Sequence, residues 1–182
     1  FAGQSYAADL ASYYSSNIRI GGSDFDLSFG GNISNIGAKL SYTQTSDRDF
    51  LPINLRVGTA IGTEIDDYNK ISLSCDINKL LVPTPPVRDQ NGNIVLGKDD
   101  RDIGVVSGIF QSFNDAPGGG NEELREINYS VGSEYWYANQ FALRAGYFFE
   151  HATKGGRQFF TFGSGVKYSV FVNSGSSANF IS

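Results

Sequence analysis

The one histidine, His151, sits in a short basic loop with Lys154 and Arg157. Histidine is the usual proton carrier near neutral pH, and serines are plentiful enough to supply a nucleophile. No Gly-x-Ser-x-Gly elbow is present to hold one, so His151 reads as an ordinary loop residue. A single histidine and a single cysteine offer no zinc pair. Asp89, Asn91 and Asn93 alternate around Gly92 in the manner of a calcium loop, but the acidic residues that follow lack that loop's spacing. Asp66-Asp67 and Asp99-Asp100 read as solvated loop faces. Cys75 shares a parity with Ile71, Leu73 and Ile77, which makes it a small apolar side chain rather than a reactive thiol. The expectation is no enzyme, no cofactor and no metal.

The elements that position these residues are strands. Residues 127–170 alternate through three of them. Tyr129, Val131, Tyr135 and Tyr137 share one face, and Ser130, Gly132, Glu134 and Trp136 the other. Phe141, Leu143, Ala145, Tyr147 and Phe149 then oppose Ala142, Arg144, Gly146, Phe148 and Glu150. Phe160, Phe162, Val166, Tyr168 and Val170 oppose Thr161, Gly163, Gly165 and Lys167. Side chains alternate across a strand, so this is a sheet with one apolar face. A soluble sandwich would bury that face under a second sheet, whereas a membrane barrel turns it to lipid.

Further strands are expected at 4–14, 24–33, 36–43, 53–62 and 70–80, giving eight with 126–137, 141–150 and 158–171. A polar loop is expected over 15–23, and a tight turn at Ser34-Asn35 within NISNIG. With these bounds, long and short connections alternate: 15–23, 44–52, 81–125 and 151–157 against 34–35, 63–69 and 138–140. Outer-membrane barrels show that alternation, with longer extracellular loops and short periplasmic turns. If 138–140 is a three-residue turn, Glu134 faces Arg144 across the polar, lumenal face as a structural ion pair, and Gly132 faces Gly146. The same face carries Asp24, Asp26, Arg56, Asp76 and Lys167.

Composition agrees. The chain has 182 residues, enough for one domain, with 22 glycines and no methionine. Its mean hydropathy of −0.23 looks soluble, as it does for barrels that present half of each strand to lipid. No run approaches the roughly 18 apolar residues of a membrane helix. A net charge of −5 lacks the basic footprint of a nucleic-acid binder. The first residue is Phe1, without a signal peptide, as expected of an internal piece or a trimmed mature product.

The strand pattern stops over 81–125. VPTPP is stiff, Asn91-Gly92 marks a small hairpin, and residues 103–113 switch to helical spacing with Asp100 and Asp102 as candidate caps. Val106, Ile109, Phe110 and Phe113 form an apolar helix face on a loop that lipid does not cover, which makes them candidate partner-binding residues.

Six segments carry a family resemblance: NISNIG (32–37), DFLPINLRVG (49–58), DDYNKISLSCDINKLLVPTPP (66–86), GIFQSFNDAPGG (108–119), EELREINYSVGSEYWY (122–137) and FALRAGYFFEHATKGGRQFFTFGSGVKY (141–168). They resemble the PorV family of the type IX secretion system of Bacteroidetes, within the FadL-like outer-membrane barrels. The resemblance implies a transmembrane antiparallel β-barrel of fourteen strands, of which this chain supplies a later portion. The implied domain layout is one partial outer-membrane barrel domain over 1–182, with 81–125 as a long extracellular loop holding the short helix. It implies a non-enzymatic shuttle that takes cargo, recognised by its C-terminal signal domain, from the large translocon barrel to a cell-surface attachment complex. Outer-membrane lipid or lipopolysaccharide would surround it. The alternatives are a FadL-type channel for hydrophobic small molecules and a lipopolysaccharide-modifying protein. After Val172, NSGSSANFIS departs from the expected final strands.

Overall fold

Eight antiparallel strands form one sheet, and the computed structural model describes residues 5–40, 49–100, 102–172 and 176–181. The strands are β1 (Ala7–Ile20), β2 (Ser23–Gly37), β3 (Asn54–Glu64), β4 (Asn69–Leu80), β7 (Ile127–Tyr137), β8 (Phe141–Phe149), β9 (Gln158–Val172) and β10 (Ser176–Ile181). A separate hairpin, β5 (Val87–Arg88) and β6 (Ile94–Leu96), lies between β4 and β7 with two short helices, α1 (Val105–Gln111) and α2 (Gly120–Arg125). The sheet order is β1-β2-β3-β4-β7-β8-β9-β10, so every neighbour is a chain neighbour once the hairpin is set aside. It is an all-β barrel wall, left open between β1 and β10. No helix among the described residues is long and apolar enough to cross a membrane.

The number eight matches the sequence expectation, but not all the strands do. Residues 15–20 are strand rather than loop. β1 turns into β2 through Gly21-Gly22 alone, whose φ values of 60° and 92° suit a two-residue hairpin. Ser15, Ser16 and Asn17 look like a loop by composition, yet they alternate correctly: Asn17 hydrogen-bonds Asp26 on the polar face. Ser34-Asn35 is no turn. β2 runs straight through it, and Asn35 (φ 60°) occupies a bulge where the β1 register shifts between Ala8 and Leu10. Asparagine tolerates the left-handed region, which serves a bulge as well as a turn. The Asn35 N–H donates to Asp9 Oδ1 at 2.8 Å. The expected strand 36–43 is therefore absent as such: Ile36 belongs to β2, Leu40 makes one bridge to Asp49, and residues 41–48 fall outside those described. At the other end, β10 is a strand paired to β9 that the pattern of NSGSSANFIS did not announce.

These corrections leave the alternation cleaner. Gly21-Gly22, 65–68 and 138–140 lie at one end of the wall, and 38–40 with 49–53, 81–100 with 102–126, and 150–157 at the other. The two faces keep their characters. Register puts Phe29, Thr59, Cys75, Val131, Tyr147 and Phe160 in one row across the apolar face; Phe29, Val131 and Phe160 are exposed and Tyr147 is half-buried. The buried apolar residues are few among those described: Ile53, Leu81 and Ala116 under the long connections, and Ala142 on the opposite face. Total accessible surface is 12625 Å², where a compact soluble chain of this mass would show about 8,600 Å². The apolar side chains of this sheet are thus outside, not in a core.

Candidate docking surface on the long connection

Residues 81–100 and 102–126 build a cap at the long-loop end. Asp89 accepts the N–H groups of Asn91 and Asn93 at 2.9 and 2.8 Å, and so closes the β5–β6 turn rather than a calcium loop. Those hydrogen bonds, that of Asn93 first, hold its carboxyl below the usual range. Arg88 then reaches Asp99 and Asp100 at 3.1 and 3.2 Å. Asp100 and Asp102 are consequently not caps of α1, whose N-cap is Gly104 without a side-chain hydrogen bond. Short acidic residues upstream of a helix suggest caps, but Asp100 has a closer cation.

α1 turns its small side inward. Gly108 and Ser112 are buried, and a Cβ added to Gly108 would meet the Phe50 ring at 2.7 Å and Pro83 at 3.3 Å. The large residues point away. Val106 and Phe110 are 66% and 74% exposed, one turn apart at i and i+4 on one ridge, and Phe113, about half exposed, follows two residues after the helix ends. Ile109, placed with them by the sequence pattern, is half-buried on the flank.

Beneath α1 lies a knot of charges that pattern reading overlooked. Lys79, at the end of β4, has a side chain only 7% exposed and bonds Glu126 at 2.7 Å and Glu123 at 3.1 Å. Its Nζ lies 5.9 Å from the Phe113 ring centroid. Glu123 also accepts the N–H groups of Asp115 and Ala116, at 2.6 and 2.8 Å. Glu126 accepts the Thr84 hydroxyl at 2.8 Å. Lys154, from the 150–157 connection, reaches Glu122 at 2.7 Å and Glu126 at 3.0 Å. Three connections therefore interlock: Phe50 from the first, α1 and α2 from the second, Lys154 from the third. The overlooked signal was a lysine at an apolar-parity position, which needs a carboxylate, with the acidic run 122–126 next to the neighbouring strand.

Four carboxyls share two ammonium groups in this knot, and the imbalance falls on Asp115. It is 2% exposed, takes the Thr84 N–H on Oδ2 at 3.1 Å, and has no partner for Oδ1 among the described residues. Burial, with Glu123 and Glu126 nearby, pushes its carboxyl up. Burial would raise Glu126 as well, but Lys79, Thr84 and Lys154 outweigh it and hold it below the usual range. The Lys154 hydrogen bond, with the Gly118 N–H, keeps Glu122 low.

His151 caps the single turn Ala152–Lys154, with Nδ1 2.9 Å from the Thr153 hydroxyl. Its neighbour Glu150 is buried and holds Arg157 in a two-point pair at 2.8 Å each. On the concave face, Glu134 stands opposite Arg144 and the two are ion-paired; Trp136 Nε1 also donates to Glu134, at 2.6 Å. Asp24, Asp26, Arg56, Asp76 and Lys167 share that face by register. Nothing brings the ridge on α1 and the Glu134–Arg144 pair together.

Residues 1–87, just under half of the chain, match the family model described as type IX secretion system protein PorV. No curated protein matches the chain.

Proposed function

We propose, on that match, that the chain is a PorV-family component of the type IX secretion system, and that it is outer-membrane wall carrying a docking cap for translocon and cargo. Physical dimensions support the membrane part. An eleven-residue strand such as β3 or β7 reaches about 36 Å, or about 28 Å when tilted by about 40°, which fits a bilayer's apolar core. Aromatic pairs edge the apolar band: Tyr68 with Tyr137 at the short-turn end, Tyr129 with Phe149 toward the long-loop end. In this reading residues 1–182 form one partial barrel domain, the long connections are extracellular, and the short turns are periplasmic.

The observation that carries the docking role is the inverted packing of α1. A helix in water buries its large residues and exposes its small ones. Here Gly108 and Ser112 are buried while Val106 and Phe110 form an uncovered ridge. A shuttle that receives cargo from the translocon barrel and hands it to an attachment complex needs such a surface. The concave face is polar, which does not suit a channel for hydrophobic molecules. His151 is committed to Thr153, which gives lipopolysaccharide hydrolysis no support.

The test replaces Val106 and Phe110 with Ser, leaving Phe113 over Lys79, and captures partners from native membranes. The expected result is a folded, heat-modifiable barrel with reduced recovery of the translocon barrel, of cargo, or of both. Undiminished recovery of both removes α1 as the contact.

A further inference from the structure

The concave face contains a notch that neither the wall nor the cap accounts for. Register sets Tyr13, Gly30, Gly58 and Asp76 in one row across β1 to β4. The two middle positions have no side chain, so the row is a gap with a wall at each end. Tyr13 closes one end, its hydroxyl 2.9 Å from Ser28 Oγ. Asp76 closes the other and leans over Gly58, where a Cβ would run into its carboxylate. Arg56, one row nearer the long loops, borders the same cavity, whose volume is about 320 Å³.

The charges of this notch are unspent. Arg56 gives Nε to Asn78 Oδ1 at 2.8 Å and meets no carboxylate among the described residues. Asp76 meets no donor among them either. The two are diagonal neighbours on one face and would ordinarily pair, but Arg56 is drawn to Asn78 and Asp76 to the space above Gly58. Elsewhere on this face opposite charges do combine, as Glu134 with Arg144 and Arg19 with Asp24. A guanidinium with free Nη groups binds an oxyanion in a forked geometry, and a carboxylate binds an ammonium.

We propose that this notch is a binding site for a small zwitterion, a molecule with a primary ammonium seated on Asp76 and an oxyanion seated on Arg56. Free amino acids and phosphoethanolamine share this chemistry, the first through a carboxylate and the second through a phosphate. The site is independent of the docking ridge and does not rest on the secretion reading.

The test uses the full barrel in a non-ionic sugar detergent, since zwitterionic detergents would compete. Calorimetric titrations with glycine and with phosphoethanolamine identify which oxyanion is taken, and ethylamine and acetate serve as half-ligands. The expected result is binding of at least one zwitterion, with both half-ligands weaker. Asp76→Asn and Arg56→Gln should each weaken it by about tenfold or more, the loss of one charge-assisted contact. Lys167→Gln, on the same face but on β9, should leave it unchanged. Variants must remain heat-modifiable on gels. Absence of binding by either zwitterion overturns the proposal, and so does binding that survives both notch substitutions in a folded barrel.

Discussion

Replacing Lys79 with Met would remove the one ammonium that reaches both Glu123 and Glu126 from the wall. Breaking a buried pair by deleting one partner costs about 3–5 kcal/mol, because the other charge stays buried. The structure argues for less here. Glu126 keeps Lys154 and Thr84, and Glu123 keeps the N–H groups of Asp115 and Ala116. Methionine also preserves much of the side-chain volume, so packing is roughly conserved. About 2–4 kcal/mol is the expected loss, confined to the cap. At about 1.4 kcal/mol per tenfold, amide exchange at Thr84, Asp115 and Ala116 should accelerate by about thirtyfold to a thousandfold. Exchange in β7 and β8 should not change. Hydrogen-exchange mass spectrometry on the refolded barrel reads both regions together. Adding Glu126→Gln to Lys79→Met should give less than the sum of the single effects, since the stranded charge is then gone. Unchanged cap exchange in Lys79→Met, or loss of protection spread evenly over the wall, would refute the assignment of the knot as the cap's anchor.

Two further outcomes follow from the same region. Glu122 and Glu126 are held below the ordinary carboxylate range, so the stability they add is present above that range and is lost as pH falls through their depressed values. Asp115 has the opposite sign: its raised value means a contribution present at low pH and lost as pH rises through that value. Cap protection, corrected for intrinsic exchange, should therefore fall on both sides of a mildly acidic optimum. Asp115→Asn should flatten the alkaline side alone, and an unchanged alkaline slope would contradict this. Gly108→Ala should push α1 off Phe50 and Pro83, at an overpacking cost of about 1–3 kcal/mol. Protease sensitivity of 104–113 measures it, and wild-type resistance would show that Phe50 swings aside.

The wall was legible because side chains alternate along each of β3, β4, β7 and β8. A turn centred on Asn139 is enough to fix the β7–β8 register by counting. Legibility failed where one residue type serves two geometries. Asn35 at φ 60° forms a bulge, and nothing local in NISNIG separates that from a turn. Ser15, Ser16 and Asn17 looked like a loop because a concave polar face and a loop share composition. α1 was visible from the spacing of Val106, Phe110 and Phe113, but which side it buries depended on Phe50, more than fifty residues earlier. The knot left one trace in the pattern, a lysine at an apolar-parity position, but not the identity of its partners. Lys79 meets Glu126 only because β4 and β7 are sheet neighbours across the whole cap.

The reach of Lys154 also sets a timetable. Its partners Glu122 and Glu126 lie 32 and 28 residues back along the chain, beyond the β7–β8 hairpin. The clamp on α2 cannot close until that hairpin has formed and the 150–157 connection has doubled back over it. Lys79 adds a separation of 47 residues to the same closure. Such distant contacts form late, after local hairpins have reduced the entropy of bringing the ends together. The apolar ridge of α1 is therefore set in its final orientation only after this stretch of the wall has assembled, and an incompletely assembled molecule has no finished surface to offer.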